Sequence, residues 1–196
     1  MLFSIFRGAQ LEQIKETDNL TSEKGIDYTR LRDLLKTGQW KAADRETAER
    51  MLEVLGWQEQ DRLQLEDMQD FPCTDLRTID QLWVKYSNGK FGFSVQRKIW
   101  QQYRKPKEYF DLVRFGEAVG WNSRNEWLDY IELTFNLSAP EGHLPGKITR
   151  ISWILNEPSK VAFPPFARKA VSSVAVSFGT LGVMEHLFSR LEACQI

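Results

Sequence analysis

A chain of 196 residues and 22.9 kDa can bury a core of its own without crosslinks, and 42% hydrophobic with 27% charged residues is ordinary for one globular domain. Its 26 basic and 27 acidic residues nearly cancel, which speaks against a partner drawn by a field of one sign, such as nucleic acid or an anionic membrane. No run approaches the ~18 apolar residues of a spanning helix, and two cysteines, Cys73 and Cys194, are too few for a secreted disulfide framework and point to a reducing compartment.

The opening MLFSIFRGAQ is only briefly apolar before it turns acidic at Glu12, Glu16 and Asp18, so it reads neither as a signal peptide nor as a transit peptide. Residues 1–26 form a polar lead-in expected to be partly ordered at best, and residues 27–196 form the domain. From Tyr28 the pattern turns helical: Leu31, Leu34 and Leu35 share a face, and Gly38 stands where that helix ends. Trp40, Ala43, Ala48, Met51, Leu52 and Leu55 mark a second helix ending at Gly56, which makes a helical hairpin. Glu46, Glu49 and Glu53 read as its solvated face.

The segment WQEQDRLQLEDMQD is poorly periodic, and Pro72 bars a helix through it. A third helix is expected from Thr74 or Asp75, with Leu76, Ile79, Leu82, Trp83 and Tyr86 on one stripe. Asn88-Gly89 ends it, although the same dipeptide also suits a β-hairpin. Phe91, Phe93 and Val95 then alternate and read as extended. Tyr109, Leu112 and Val113 mark a helix stopping at Gly120, and NEWLDYIELTF suggests one or two more helical turns. LSAPEGHLPGK is a loop by composition, residues 148–170 are apolar but irregular, and Leu181, Met184, Leu187, Phe188, Leu191 and Cys194 mark a last helix. The expected class is all-α, with two long aromatic-rich loops near 86–96 and 137–175.

Little in this chain invites catalysis. His143 and His186 have no cysteine neighbours at zinc-ligand spacing, and neither a Walker loop nor GxGxxG is present. No catalytic residue and no metal ligand is assigned, and an enzyme is disfavoured. The aromatics beside Lys90, Arg97 and Lys98 suit stacking on single-stranded nucleic acid, but a net charge of −1 opposes it. Aromatic loops stiffened by proline suit a large flat apolar ligand instead. Basic residues at their margins, Lys90, Arg97 and Lys98 for the first loop and Lys147, Arg150, Arg168 and Lys169 for the second, would meet carboxylates at the water boundary. A porphyrin with propionate groups answers that description. The plain alternative is that the rings are core, especially Trp83, Trp100 and Trp121.

Specific strings then carry a resemblance. YTRLRDLLKTGQWKAADRETAERML, FPCTDLRTIDQLWVKYSNGKFGFSVQRKIW, RFGEAVGW and LTFNLSAPEGHLP resemble, in order, the genomes-uncoupled-four family of porphyrin-binding activators of magnesium chelatase. The resemblance covers residues 28–145. It implies a helical core shaped like a cupped hand whose apolar palm takes protoporphyrin IX and magnesium protoporphyrin IX. It also implies a non-catalytic role, stimulating the chelatase by presenting porphyrin to its large porphyrin-handling subunit, in the cytoplasm of a photosynthetic bacterium or the plastid stroma, with at most peripheral membrane association. Carried onto this chain, Phe91, Phe93 and Val95 line the palm with Trp100 beside them. Trp153, Phe163, Phe166 and Arg168, with Arg150, form the side that closes over the ligand. His143, the one loop histidine, is a nominal axial ligand, but hydrogen bonding to the loop backbone is the expected role. Cyanobacterial members often carry a helical bundle before the core, where about 26 residues precede it here. That departure keeps open a protein-interaction or bilin-binding paralogue that has lost chelatase activation.

Overall fold

The computed structural model describes residues 18–57, 65–103, 109–124, 126–147 and 184–196. Within them the chain is mostly helical: α1 (Thr29–Lys36), α2 (Trp40–Val54), a 3-10 turn (Leu65–Asp70), α3 (Cys73–Tyr86), α4 (Phe93–Tyr103) and α5 (Tyr109–Ala118). A two-residue antiparallel pair follows, β1 (Asn122–Ser123) with β2 (Glu126–Trp127), then a second 3-10 turn (Tyr130–Glu132). Residues 184–193 form a further helix, α6.

The α1–α2 hairpin forms as its pattern dictates. Leu31 and Leu35 are buried on one stripe of α1, and Trp40, Ala43, Thr47, Met51 and Val54 on the facing stripe of α2. Gly38, at φ 69°, takes the left-handed conformation that ends α1, and the Gln39 amide returns to the Leu34 carbonyl at 2.9 Å. Glu46 departs from the expected solvated face. It is buried, and Arg30 and Arg50 reach its carboxylate at 3.1 and 3.3 Å, because α2 turns that side toward α1.

Helix α3 ends at Asn88-Gly89 with both residues at positive φ, 56° and 80°, so the helix-end alternative holds over the hairpin. Residues 86–96 are not an extended loop, because α4 begins at Phe93. The Ser94 amide donates to Asp80 Oδ1 of α3 at 2.8 Å and so caps the new helix from a neighbouring element. Phe93, Gln96 and Trp100 then fall at i, i+3 and i+7 on its buried face, a period that three alternating residues are too few to reveal.

The core holds two aromatic clusters. Trp40, Trp83 and Phe91 meet with ring centroids 5.6 to 6.4 Å apart, and the Trp83 indole N–H donates to Thr47 Oγ1 at 2.9 Å. Phe115 stands edge-on to Trp100 at 5.5 Å and to Trp121 at 5.7 Å, and meets Phe188 of α6 at 6.2 Å. Such edge-to-face pairs favour fixed geometry beyond the area they bury.

Residues 18–26, the described part of the polar lead-in, are tied to α3. Asp18 accepts from the Tyr86 hydroxyl at 2.6 Å, the Thr21 carbonyl accepts from Thr78 at 2.7 Å, and Asp75 accepts from the Glu23 amide and the Tyr28 hydroxyl. Cys73 and Cys194, read as a sign of a reducing compartment, are joined in a disulfide with 5.3 Å between Cα atoms, because α6 lays its end against the start of α3. Of the one or two helical turns expected from NEWLDYIELTF, the described residues show one 3-10 turn (Tyr130–Glu132), preceded by the extended pair of β1 with β2. Arg124 turns the chain at φ 54°, and Asp129 and Glu132 cap the 3-10 turn reciprocally.

Candidate ligand face

The segment that begins with that turn carries both of the large hydrophobic side chains exposed among the described residues, Ile131 at 78% and Leu137 at 49%. In the same segment Tyr130 and Phe135, each half-buried, meet at 5.3 Å between ring centroids. Two ammonium groups lie over these rings: Lys41 of α2 stands 5.2 Å from the Phe135 centroid and Lys147 stands 5.7 Å from that of Tyr130. A third, Lys90, donates to the Leu137 carbonyl at 2.6 Å and holds that end of the segment. Residues 130–137 therefore present apolar side chains and aromatic rings next to fixed positive charge.

A sewn loop supports this face. The Gly142 amide donates to the Lys90 carbonyl at 2.9 Å, and the Gly92 amide to the Leu144 carbonyl at 3.0 Å. The Gln96 side-chain amide donates to the Gly142 and Pro145 carbonyls, both at 2.9 Å. His143 is buried inside. Its Nε2 accepts from the Thr134 amide at 3.0 Å, which leaves the proton on Nδ1 to be donated to the Val119 carbonyl at 2.6 Å. Both ring nitrogens are thus committed to backbone, the role expected of it, and no nitrogen is left to serve as an axial ligand. The Gly146 and Lys147 amides donate to Asp44 Oδ1 of α2 at 2.6 and 3.2 Å. Burial pushes the Asp44 carboxyl up from its ordinary value against the pull of the Tyr130 hydroxyl and of these amides, and burial followed by Asp44 pushes the Tyr130 hydroxyl up in turn.

The residues singled out from the sequence fall in two groups. Phe91, Phe93, Val95 and Trp100 are all buried, so the expected open wall of rings is core: Phe91 closes the Trp40–Trp83 cluster and Trp100 the one around Phe115. Trp153, Phe163, Phe166, Arg150 and Arg168 lie outside the described residues. The sequence reading passed over Tyr130, Ile131, Phe135, Leu137 and Lys41. The available signal was YIELTFNL itself, where Ile131, Leu133, Phe135 and Leu137 alternate with polar residues at a period of two inside a stretch read as helical.

Residues 21–160 match the family described as GUN4-like. This chain belongs to that family. The GUN4-like chain is 38% identical over 129 residues to a Ycf53-like protein of Synechocystis, covering 64% of this chain and 53% of that one. It is 31% identical over 127 residues to the chloroplastic tetrapyrrole-binding protein of Arabidopsis thaliana, covering 59% and 46%. Its fold matches the structure of GUN4 from Chlamydomonas reinhardtii with a TM-score of 0.56 and 32% identity, over 72% of this chain and 94% of that one. The GUN4-like chain spans about half the length of the curated relatives it matches.

Proposed function

We propose that this GUN4-like chain binds a cyclic tetrapyrrole, protoporphyrin IX or magnesium protoporphyrin IX, and serves chlorophyll biosynthesis as a non-catalytic accessory. Its partner on this reading is the large porphyrin-handling subunit of magnesium chelatase, whose activity it raises. Its place is the plastid stroma or the cytoplasm of a photosynthetic bacterium. Family membership supports the reading, as does the name of the Arabidopsis relative, a tetrapyrrole-binding protein.

The observation that carries it is the face at residues 130–137. A macrocycle is flat and apolar with two carboxylates on one edge. Ile131 and Leu137 offer uncovered apolar surface, where each Å² hidden from water contributes roughly 25 cal/mol before ordering costs. Tyr130 and Phe135 offer aromatic surface to the ring, and Lys41 and Lys147 stand close enough to meet the carboxylates without being newly buried. The cupped-hand shape and the closing role of Trp153, Phe163, Phe166, Arg150 and Arg168 belong to the same proposal.

Titration with a water-soluble dicarboxylate porphyrin tests it. A red-shifted Soret band and quenched tryptophan emission are expected, and Ile131→Asp should weaken both at least tenfold by placing a charge against the macrocycle. An unchanged spectrum at tens of micromolar porphyrin would sink the reading. Competition between the porphyrin and a linear bilin separates the cyclic from the open-chain tetrapyrrole.

A further inference from the structure

Helix α2 carries a buried acid that the face itself does not display. Asp44 is fully buried, and its Oδ1 takes both the Gly146 and the Lys147 amides. Its Oδ2 and the Tyr130 hydroxyl are each buried without a well-formed hydrogen bond, yet the two groups lie near enough to perturb one another's ionisation. One side chain thus holds the backbone that carries Lys147, whose ammonium overlies the Tyr130 ring. An acid fully removed from water, with one oxygen still short of a partner, is costly for stability alone. Its placement makes sense if Tyr130 and Lys147 must keep a fixed mutual position.

We infer that Asp44 is a positioning residue for the tetrapyrrole face: by tying the Gly146–Lys147 backbone to α2, it sets where the Lys147 ammonium stands relative to the Tyr130 ring that the ligand covers. The inference rests on the reading of that face as the ligand site. Nothing is bonded or broken in this role. Asp44 acts through Lys147, so its effect belongs to the recognition of the ligand's carboxylates and not to the apolar contact.

The test compares a dicarboxylate porphyrin with its dimethyl ester on the full chain, because the ester keeps the macrocycle and removes the charge that Lys147 meets. Wild type should prefer the diacid. Asp44→Asn keeps the shape but weakens the hold on the loop. It should lower diacid affinity roughly tenfold, leave ester affinity within about twofold, and so collapse the preference, as Lys147→Met does directly. Amide exchange at Gly146 and Lys147 should quicken in the same variant. If both ligands weaken equally, or neither does, Asp44 is structural only and the inference fails. Asp44→Glu, which keeps the charge but moves the carboxylate away from the loop amides, carries the same comparison should the asparagine variant not fold; an unaltered diacid preference there also overturns it. Wild type binding neither porphyrin would instead overturn the reading of the face, and this inference with it.

Discussion

Asp18 shows how a residue outside the main core can still matter to the fold. Burial pushes its carboxyl up, but the Tyr86 hydroxyl at 2.6 Å and Lys85 at 2.9 Å outweigh that and hold it below its ordinary value of 3.8. A lowered folded-state pKa contributes stability that is complete above the ordinary value and is lost as pH falls through the lowered one. Asp18→Asn should therefore cost stability near pH 6, and the gap to wild type should close as pH falls from about 4 toward 2. Urea midpoints across that range measure it, and a gap that persists undiminished at pH 2 refutes the assignment. His143 makes a second case. With one nitrogen accepting from Thr134 and the other donating to Val119, His143→Ala leaves two buried backbone groups unpaired. A loss of about 2–4 kcal/mol in chemical denaturation is expected; less than 1 kcal/mol would show that water replaces the ring.

The junction of α3 and α4 decides the fate of the aromatic segment. Gly92 has φ 132°, and a Cβ there would stand 2.9 Å from Val84 and 3.0 Å from the Asp80 carboxylate that caps α4. Gly92→Ala should therefore destabilise the chain by about 2 kcal/mol or more and loosen the Ser94 cap, visible as faster amide exchange through the first turn of α4. Wild-type exchange there would show that the close approach is not what requires glycine. The same junction explains what the sequence disclosed. Helices α1, α2, α3 and α5 were legible because Leu31/Leu35, Trp40/Ala43/Met51 and Leu76/Ile79/Trp83 repeat at helical spacing and glycines stand at their ends. Phe91 and Phe93 misled because their cap comes from Asp80, fourteen residues upstream of Ser94, and no local pattern announces a cap supplied by another helix. The candidate face stayed hidden for the same kind of reason: Lys41 and Phe135 meet only once α2 and the 142–146 loop are folded together.

At the scale of the whole molecule, the two ends of the described chain are held by contacts between residues far apart in sequence. Helix α6 buries Met184, Leu187, Phe188 and Leu191, and the Arg190 side chain donates to the Phe71 carbonyl at 2.6 Å. Arg77 of α3 donates to the Cys194 carbonyl at 2.7 Å. The Cys73–Cys194 bond adds a covalent closure across 121 residues. Closing a loop of that size removes unfolded-state entropy worth about 5 kcal/mol in the chain-entropy picture, an upper figure because unfolded chains keep some compactness. With four buried side chains and these hydrogen bonds, α6 is expected to stay docked when the sulfurs are reduced. Cys194→Ser, or reduction of the wild type, should thus lower the denaturation free energy by about 2–4 kcal/mol while near-ultraviolet dichroism at low denaturant stays native. Amide exchange should rise chiefly in residues 184–196 and at the start of α3. A midpoint that does not move on reduction would mean that α6 alone sets this part of the stability; loss of the native dichroism would mean that α6 cannot stay docked without the bond.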